Sequence, residues 1–510
     1  MMLEKILEGC DYVQQMQHAD IAARDIVGIA YDSRKVRDNY LFMAIKGEKV
    51  DGHMFIRDAV KRGATVIASE NESDGAGSGF ILVRDSRKAL ACMANNFYGR
   101  PSEDLILTGV TGTNGKTTTT YLLKSILESW EKDVGLIGTI QYMIKDSSYP
   151  ALHTTPESVE FQGLLRQMLM TGCTHAVAEV SSHALAQYRV DNAVFRAAVF
   201  TNLTRDHLDF HKTMEDYFRA KGRLFTELLD RSGTAVINTD DPYGQRLAAQ
   251  LRTLSPGLEI VTFGIEQDAD MVARNIQFPS RGLQFTIASR DGDYEISSPL
   301  LGMPNIYNIL SAAAAAVSLG VPWKMVQSGV GRAGTVAGRF QKVDAGQPFL
   351  CIIDYAHTED ALERLILTAK RLVSSMHPSA KKGAARAGRV ITVFGCGGDR
   401  DQGKRPGMGE IATRLSDIVV ITSDNPRSEN PSEIIRQIEE GTVQKNYLIE
   451  PERKNAIRKA VELAEDGDIV LVAGKGHEDY QEIQGIRYPY SDREILNEAI
   501  QERSGSSDSQ

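Results

Sequence analysis

Short apolar runs alternate with helix-period stretches through the middle and last parts of the chain. Residues 105–107, 176–178, 197–200, 235–237, 389–394, 418–422 and 468–473 are of strand length, and each is followed by a stretch with apolar residues at helical spacing. That alternation predicts parallel sheets covered by helices, an α/β architecture. The most apolar stretch, 309–321, spans 13 residues and carries two serines. A membrane span needs about 20 apolar residues, so this stretch predicts a buried helix instead.

Two breaks divide the pattern. Tyr98-Gly99-Arg100-Pro101-Ser102 ends a helical stretch before the run at 105–107. A Gly-rich passage, Gly329-Val330-Gly331-Arg332 through Gly334 to Gly338-Arg339, precedes a strand pattern at 349–353. With 510 residues, too many for one compact core, these breaks predict three domains, 1–99, 100–338 and 339–510. The small, polar stretch 374–388 predicts an exposed loop, and residues 504–510 a disordered tail.

Composition is that of an ordinary soluble globular protein, 42% hydrophobic and 25% charged. A net charge of −9 argues against broad attraction to nucleic acid or an anionic membrane. Any anionic ligand must be held by local cations and backbone N–H groups. Five scattered cysteines, with no C-x-x-C spacing, argue against a disulfide framework or a zinc ribbon. The acidic start, with Glu4, Glu8 and Asp11, does not read as a signal peptide. The expectation is a cytoplasmic protein acting as a monomer.

The chemistry concentrates where the run at 105–110 meets Thr111-Gly112-Thr113-Asn114-Gly115-Lys116-Thr117-Thr118 and the spacing becomes helical. A strand, a Gly-rich turn with a lysine, and a helix N-terminus form a phosphate cradle. Glycines admit backbone N–H groups to the oxygens, Lys116 reaches the outer phosphates, and Thr117 offers a hydroxyl to Mg2+. The general pattern wants glycine at position 110, which is Val110 here, so the glycine spacing is short. This predicts a P-loop ATPase-type central domain but leaves the reaction open. Glu179 follows the strand at 176–178, and a carboxylate at a parallel strand's carboxyl end faces the ligand crevice. Thr204-Arg205-Asp206-His207-Leu208-Asp209-Phe210-His211 packs two His and two Asp just beyond the strand at 197–200, which points His207 toward ligand or catalytic duty.

Taken in order, TGTNGKTTT, EVSSH, TNLTRDHLDFH, YFRAK, DYAH and GCGGDRD resemble the Mur ligase family of peptidoglycan precursor synthesis. The resemblance runs from about residue 31 to residue 493, and is narrower still for the diaminopimelate-adding members. It implies a small N-terminal domain binding a UDP-sugar, the central ATP-binding domain and a Rossmann-like C-terminal domain that takes the amino acid. The short glycine spacing is the form this family uses. The lysine of YFRAK, Lys221, would be carbamylated and share a second Mg2+ with His207, while Thr117 and Glu179 serve the first. ATP would further meet Asn308, Arg339, Asp354 and His357. The family's Asn pair is Asn305 and Asn308, but Pro304 stands where an aromatic is expected, which makes Asn308 the safer adenine contact. DYAH continues with Thr358-Glu359 in place of the family's Thr-Pro. Ser33, Thr154, Thr155, Ser181, Gln187 and Arg189 would hold a UDP-N-acetylmuramoyl-dipeptide.

The last domain should select the amine. Asp424-Asn425-Pro426-Arg427 lies beyond the strand at 418–422, where Asn-Pro marks a turn and a guanidinium can pair bidentately with a carboxylate. Meso-diaminopimelate differs from lysine by a carboxylate at its far end, so Arg427 is a chemically sensible selector. The resemblance assigns that role to Asn425 and Arg427, and implies that Arg400, Gly474 and Glu478 hold the other groups of the amino acid. The expected reaction is an ATP-dependent amide ligation through an acyl phosphate. Alternatives are the same ligation with L-lysine, a folylpolyglutamate-synthase-like ligase, and a nucleotide switch or partner-binding ATPase.

Overall fold

The computed structural model describes residues 1–13, 21–47, 50–71, 79–279, 282–376 and 388–507. Among the described residues three helix-covered sheets succeed one another along the chain, with a two-stranded hairpin beside the last. In the first, Tyr12–Val13 pairs antiparallel with Gly79–Val83, and Ala64–Ser69, Tyr40–Met43 and Gly28–Ala30 follow in parallel register.

Among the described residues the second sheet has eleven strands. Its parallel centre runs Met271–Gln277, Glu259–Gly264, Leu229–Asn238, Phe195–Phe200, Ile106–Thr111, His175–Glu179, Val134–Ile137, and antiparallel strands extend both edges. Lys116–Ser129, Met303–Ser318 and Trp323–Arg332 cover one face. Ser158–Met170, Met214–Arg223 and Pro242–Leu254 cover the other. Because both faces are covered, stretches such as residues 197–200 of the strand Phe195–Phe200 are fully buried. That is why they read as continuous apolar runs and not as alternation. Each buried Leu, Ile, Val or Phe contributes about 1.5–3 kcal/mol.

The third sheet runs Gln341–Val343, Leu350–Asp354, Ile469–Ala473, Val390–Phe394, Ile418–Ile421, Tyr447–Ile449, antiparallel only at its first pair. A separate hairpin, Tyr480–Ile483 with Ile486–Pro489, lies against it through a bridge between Arg427 and Ile483. The first and second bodies meet where the Tyr31 hydroxyl donates to Glu160 at 3.1 Å and Lys35 pairs with Glu160 at 2.8 Å. The second and third meet where Asn114 and Thr204 both donate to Asp360, at 3.1 and 2.9 Å.

Three expectations need correction. The first glycines of the 329–339 passage belong to the helix Trp323–Arg332. A β-carbon on Gly329 would lie 2.4 Å from the Ile126 Cα, so this glycine permits close helix–helix packing and makes no turn. The helix Asp492–Ser507 continues into the stretch expected to be a disordered tail. Cys10 and Cys92 form a disulfide, their Cα atoms 5.7 Å apart, which an absence of motif spacing could not reveal. The helix Ser86–Phe97 packs along Leu3–Ile6 and brings together residues 82 positions apart. Cys173, Cys351 and Cys396 are buried thiols. Most of the expected loop at 374–388 falls outside the described residues, as do 508–510. Among the described residues no helix is long and apolar enough to cross a membrane.

Candidate active site

Three adjacent parallel strands end side by side, Ile106–Thr111 flanked by Phe195–Phe200 and His175–Glu179. Their following loops therefore open into one crevice. The turn 112–115 leads into the helix Lys116–Ser129, whose N-cap is Gly115 at φ +87°. A β-carbon on Gly115 would sit 2.4 Å from the Asn308 Oδ1, and one on Gly112 1.9 Å from the Thr201 Oγ1. Glycine is required at both places by close approach as well as by positive φ. The neighbouring loop clamps the turn. Thr113 N donates to Asn202 O and Asn114 N to Asn202 Oδ1, both at 2.9 Å, while the Thr201 hydroxyl donates to Asn114 O at 2.6 Å. The Lys116 ammonium bonds the carbonyls of Gly112 and Thr113 at 2.9 and 2.8 Å. Thr118 is buried in the first turn of the helix.

Glu179 is fully buried, yet no cation lies within ion-pair distance of it among the described residues. It accepts from the Thr117 hydroxyl at 3.0 Å and from the Thr139 amide and hydroxyl at 2.8 and 2.9 Å. A buried carboxylate held only by neutral donors suits a divalent cation. Lys221 is 1% exposed; it donates to Gly112 O at 2.8 Å, and its nitrogen stands 4.7 Å from the Tyr217 ring centroid. Burial, reinforced by Lys116 nearby, pushes its amine well below the ordinary lysine range. A neutral amine is the form that captures CO2, so the site fits a carbamate. His207 has φ +54° and reaches Asp206 Oδ2 at 3.4 Å. Enclosure in the cleft pushes its imidazole down to about 4, with Asp206 pulling the other way. Among the described residues no three His, Cys, Asp or Glu side chains group to hold a metal. The donor set available is instead the Thr117 hydroxyl, Glu179, His207 and a modified Lys221.

Just before the third sheet begins, Arg339 donates to the Thr117 hydroxyl at 3.4 Å and lies over the Tyr355 ring. Asp354 accepts from the amides of Phe340 and Ala356 at 2.6 and 2.8 Å, and burial raises its carboxyl. The His357 Nδ1 meets Tyr355 O at 2.8 Å, and burial holds this imidazole low. Asn308 donates to Asn305 Oδ1 at 2.9 Å and packs against the phosphate turn at Gly115. Pro304 falls in the first turn of its helix, where a missing N–H costs nothing.

The muramoyl-dipeptide candidates form a chain of contacts beside Glu179. The Thr155 hydroxyl donates to Glu179 O at 2.7 Å and accepts from Ser181 N at 3.1 Å. Thr154 meets Thr139 at 3.1 Å. Arg189 bonds Thr155 O and Gln187 Oε1 at 3.0 and 2.7 Å and pairs with Glu157 at 2.9 Å. Ser33 stands apart on the first body, buried at the start of a short turn capped by Asp32.

A cavity of about 510 Å3 separates the second and third bodies. Arg205, Asp206 and His207 line one wall, and Arg400, Asp424, Asn425, Arg427, Gly474 and Glu478 the other. Pro426 carries the turn between Asn425 and Arg427. Arg427, at φ +51°, donates to Gly398 O at 2.7 Å and approaches Glu482 at 3.8 Å. Thr139, Asn202, Asp360 and Lys475 serve these candidates without having been singled out from sequence. Asn202 lies inside the TNLTRDHLDFH motif without a role read from it, no motif marks Thr139 or Asp360, and Lys475 sits beside Gly474 and carried a signal only in being a lysine next to a strand end.

The Mur ligase middle domain matches residues 110–316, the Mur ligase glutamate ligase domain 338–476, and the Mur ligase family catalytic domain 25–98. The chain is 44% identical over 481 residues to a UDP-N-acetylmuramoyl-L-alanyl-D-glutamate--2,6-diaminopimelate ligase of Caldanaerobacter subterraneus subsp. tengcongensis, covering 94% of this chain and 95% of that one. It is 42% identical over 504 residues to the same-named ligase of Clostridium perfringens, covering 98% and 100%. A solved structure of a ligase of this name superposes at TM-score 0.69 with 31% identity, covering 99% of both chains. A folylpolyglutamate synthase of Mycobacterium tuberculosis shares the fold at TM-score 0.61 and 15% identity, but covers only 76% of this chain. Family matches along all three bodies, with full-length relatives well above 30% identity, establish that the chain belongs to the Mur ligase family.

Proposed function

We propose that this chain is an ATP-dependent ligase that joins meso-diaminopimelate to the γ-carboxylate of the D-glutamyl residue of UDP-N-acetylmuramoyl-L-alanyl-D-glutamate, as a cytoplasmic monomer. The observation that carries the reading is the cavity between the two larger bodies. It has a phosphate turn and a buried carboxylate behind one wall and an arginine with a carboxylate on the other. A partner-binding nucleotide switch has no use for that second wall. The domain spans 1–99, 100–338 and 339–510 then correspond to holding the UDP-sugar, ATP and the amino acid.

In this reading the γ-carboxylate, placed beside Thr155, Ser181 and Arg189, attacks the γ-phosphorus of ATP and ADP leaves. The α-amine of diaminopimelate then attacks the acyl phosphate, loses a proton and expels phosphate, leaving the amide. Lys116 and Arg339 supply fixed positive charge where negative charge develops, without reorganisation at the moment of reaction. Thr117, Glu179, His207 and the carbamate of Lys221 would hold Mg2+, which when bound neutralises phosphate charge. Arg427 and Arg400 would receive the far carboxylate of the amino acid and Glu478 its ammonium. Closure of the cleft excludes water that would hydrolyse the acyl phosphate. The test is phosphate release from ATP with UDP-muramoyl-dipeptide, comparing meso-diaminopimelate, L-lysine and no amine. Turnover that needs both the nucleotide-peptide and diaminopimelate is expected; amine-independent turnover would sink the ligase reading.

A further inference from the structure

Lys475 is a fully buried lysine in the turn after the strand Ile469–Ala473. Its ammonium donates to Asn425 Oδ1 at 2.9 Å and to Glu478 Oε2 at 3.2 Å. The rings of Tyr480 and Tyr490 lie 5.6 and 5.7 Å away. Asn425 Oδ1 accepts a second bond, from the Glu482 amide at 2.9 Å. An ammonium and a backbone N–H only donate, so the amide atom facing both must be the oxygen. That leaves Asn425 Nδ2 no choice but to face Glu478 Oε2, which it does at 2.7 Å. One oxygen of Glu478 is thus held by two donors. The other, Oε1, has no protein donor among the described residues, and Glu478 lines the cavity.

We infer that Lys475 is a positioning residue for amino-acid selection, an inference that rests on the ligase reading above. It never meets the substrate. It shares the Asn425 oxygen with the Glu482 amide and, with Asn425, pins Glu478 so that a single carboxylate oxygen faces the cavity, as an acceptor for an ammonium. Arg427 offers the complementary donor for a carboxylate. Together the two sides read a complete second amino-acid head group, ammonium plus carboxylate, which meso-diaminopimelate carries at its far end and L-lysine does not. Without Lys475 the Glu482 amide and Glu478 still orient the Asn425 amide, but Glu478 loses one of its two donors and its cationic partner. Glu478 Oε2 is then left with the Asn425 amide alone, and a partly enclosed carboxylate stands without its charge-assisted bond.

The test uses the whole enzyme with steady-state kinetics in each substrate. For Lys475→Met the KM for meso-diaminopimelate should rise about ten- to hundredfold, the size expected when a hydrogen bond to a charged group is lost. The kcat should stay within about threefold, and the KM values for ATP and UDP-muramoyl-dipeptide should not move. On a Glu478→Gln background the same change should add less than threefold, because the two residues act as a unit. Asn425→Asp gives a second measurement that leaves the Lys475 partner in place. A carboxylate there still accepts from Lys475 and Glu482 N but no longer donates to Glu478, so the KM for diaminopimelate should again rise. Additive losses in the double variant, equal loss of ATP use, or an unaffected Asn425→Asp enzyme each overturn the inference. Wild-type enzyme run in parallel separates the two failures. If it turns over with diaminopimelate while the variants behave as just described for refutation, only the role of Lys475 falls. If it does not, the ligase reading falls and this inference with it.

Discussion

Replacing Arg427 by alanine removes the guanidinium that faces the cavity, and leaves the backbone around it in place. Arg427 N donates to Glu482 O at 3.0 Å and Gln484 N to Arg427 O at 2.7 Å, so the hairpin stays docked whatever the side chain. The positive φ of 51° strains alanine no more than arginine. What is lost is one bond to Gly398 O, the 3.8 Å approach to Glu482 and the pairing with the far carboxylate of the amino acid. The side chain is 18% exposed, enclosed but not dry. Truncating one partner of a buried charge pair costs about 2–5 kcal/mol, and partial exposure places this one near the lower end. At about 2–3 kcal/mol, the KM for meso-diaminopimelate should rise about 30- to 150-fold. L-Lysine has no far carboxylate, so its use should change by less than about threefold, and preference for diaminopimelate should collapse by the same factor. Arg427→Lys should recover only part of the loss, since a point charge cannot make the two-pronged contact. The assay is phosphate release at saturating ATP and UDP-muramoyl-dipeptide, with either amino acid varied. Equal losses with lysine and diaminopimelate, or a raised KM for ATP, would show that Arg427 is structural and refute the reasoning.

Other residues give separate checks. Lys221→Ala should abolish turnover, and short carboxylic acids should restore part of it by supplying the missing carboxylate; full activity without rescue would rule out a carbamate. Gly115→Ala must place a β-carbon 2.4 Å from Asn308 Oδ1 at φ +87°, a strain of about 1–2 kcal/mol before any clash. It should raise the KM for ATP about five- to thirtyfold at this strain, while the melting temperature falls by about a few degrees; unchanged ATP kinetics would count against the turn as the phosphate cradle. His175, buried far from the cavity, is held at about 4 by desolvation with help from Lys132, against 6.5 unfolded. The unfolded chain therefore binds the extra proton first, so stability falls as pH drops from 6.5 toward 4 and the fall levels off below. His175→Gln should flatten that part of the melting curve against pH, and parallel curves for variant and wild type would refute the assignment.

The phosphate turn was legible because its signal is local. Strand, glycines, lysine and helix lie within about a dozen consecutive residues, and short-range sterics decide that conformation. The buried parallel strands were legible for a similar reason, since burial on both faces leaves an unbroken apolar run. Arg427 was marked by its place just past a strand, together with the chemistry of a guanidinium. Gly329 misled because a glycine looks the same in a turn and at a helix crossing; only the neighbouring Ile126 backbone tells them apart.

By itself, then, the chain's sequence determined the α/β alternation, the phosphate turn and the residue types able to recognise phosphate and carboxylate. The tertiary structure alone decided which distant groups meet. Thr139 reaches Glu179 across 40 positions, Lys475 reaches Asn425 across 50 and Asp360 reaches Asn114 across 246. The Cys10–Cys92 pairing belongs with these. The physical reason is that parallel sheets gather the carboxyl ends of strands far apart in sequence, so the partners of each side chain are set by strand order and by how the bodies dock. Neither leaves a pattern in any short stretch of residues.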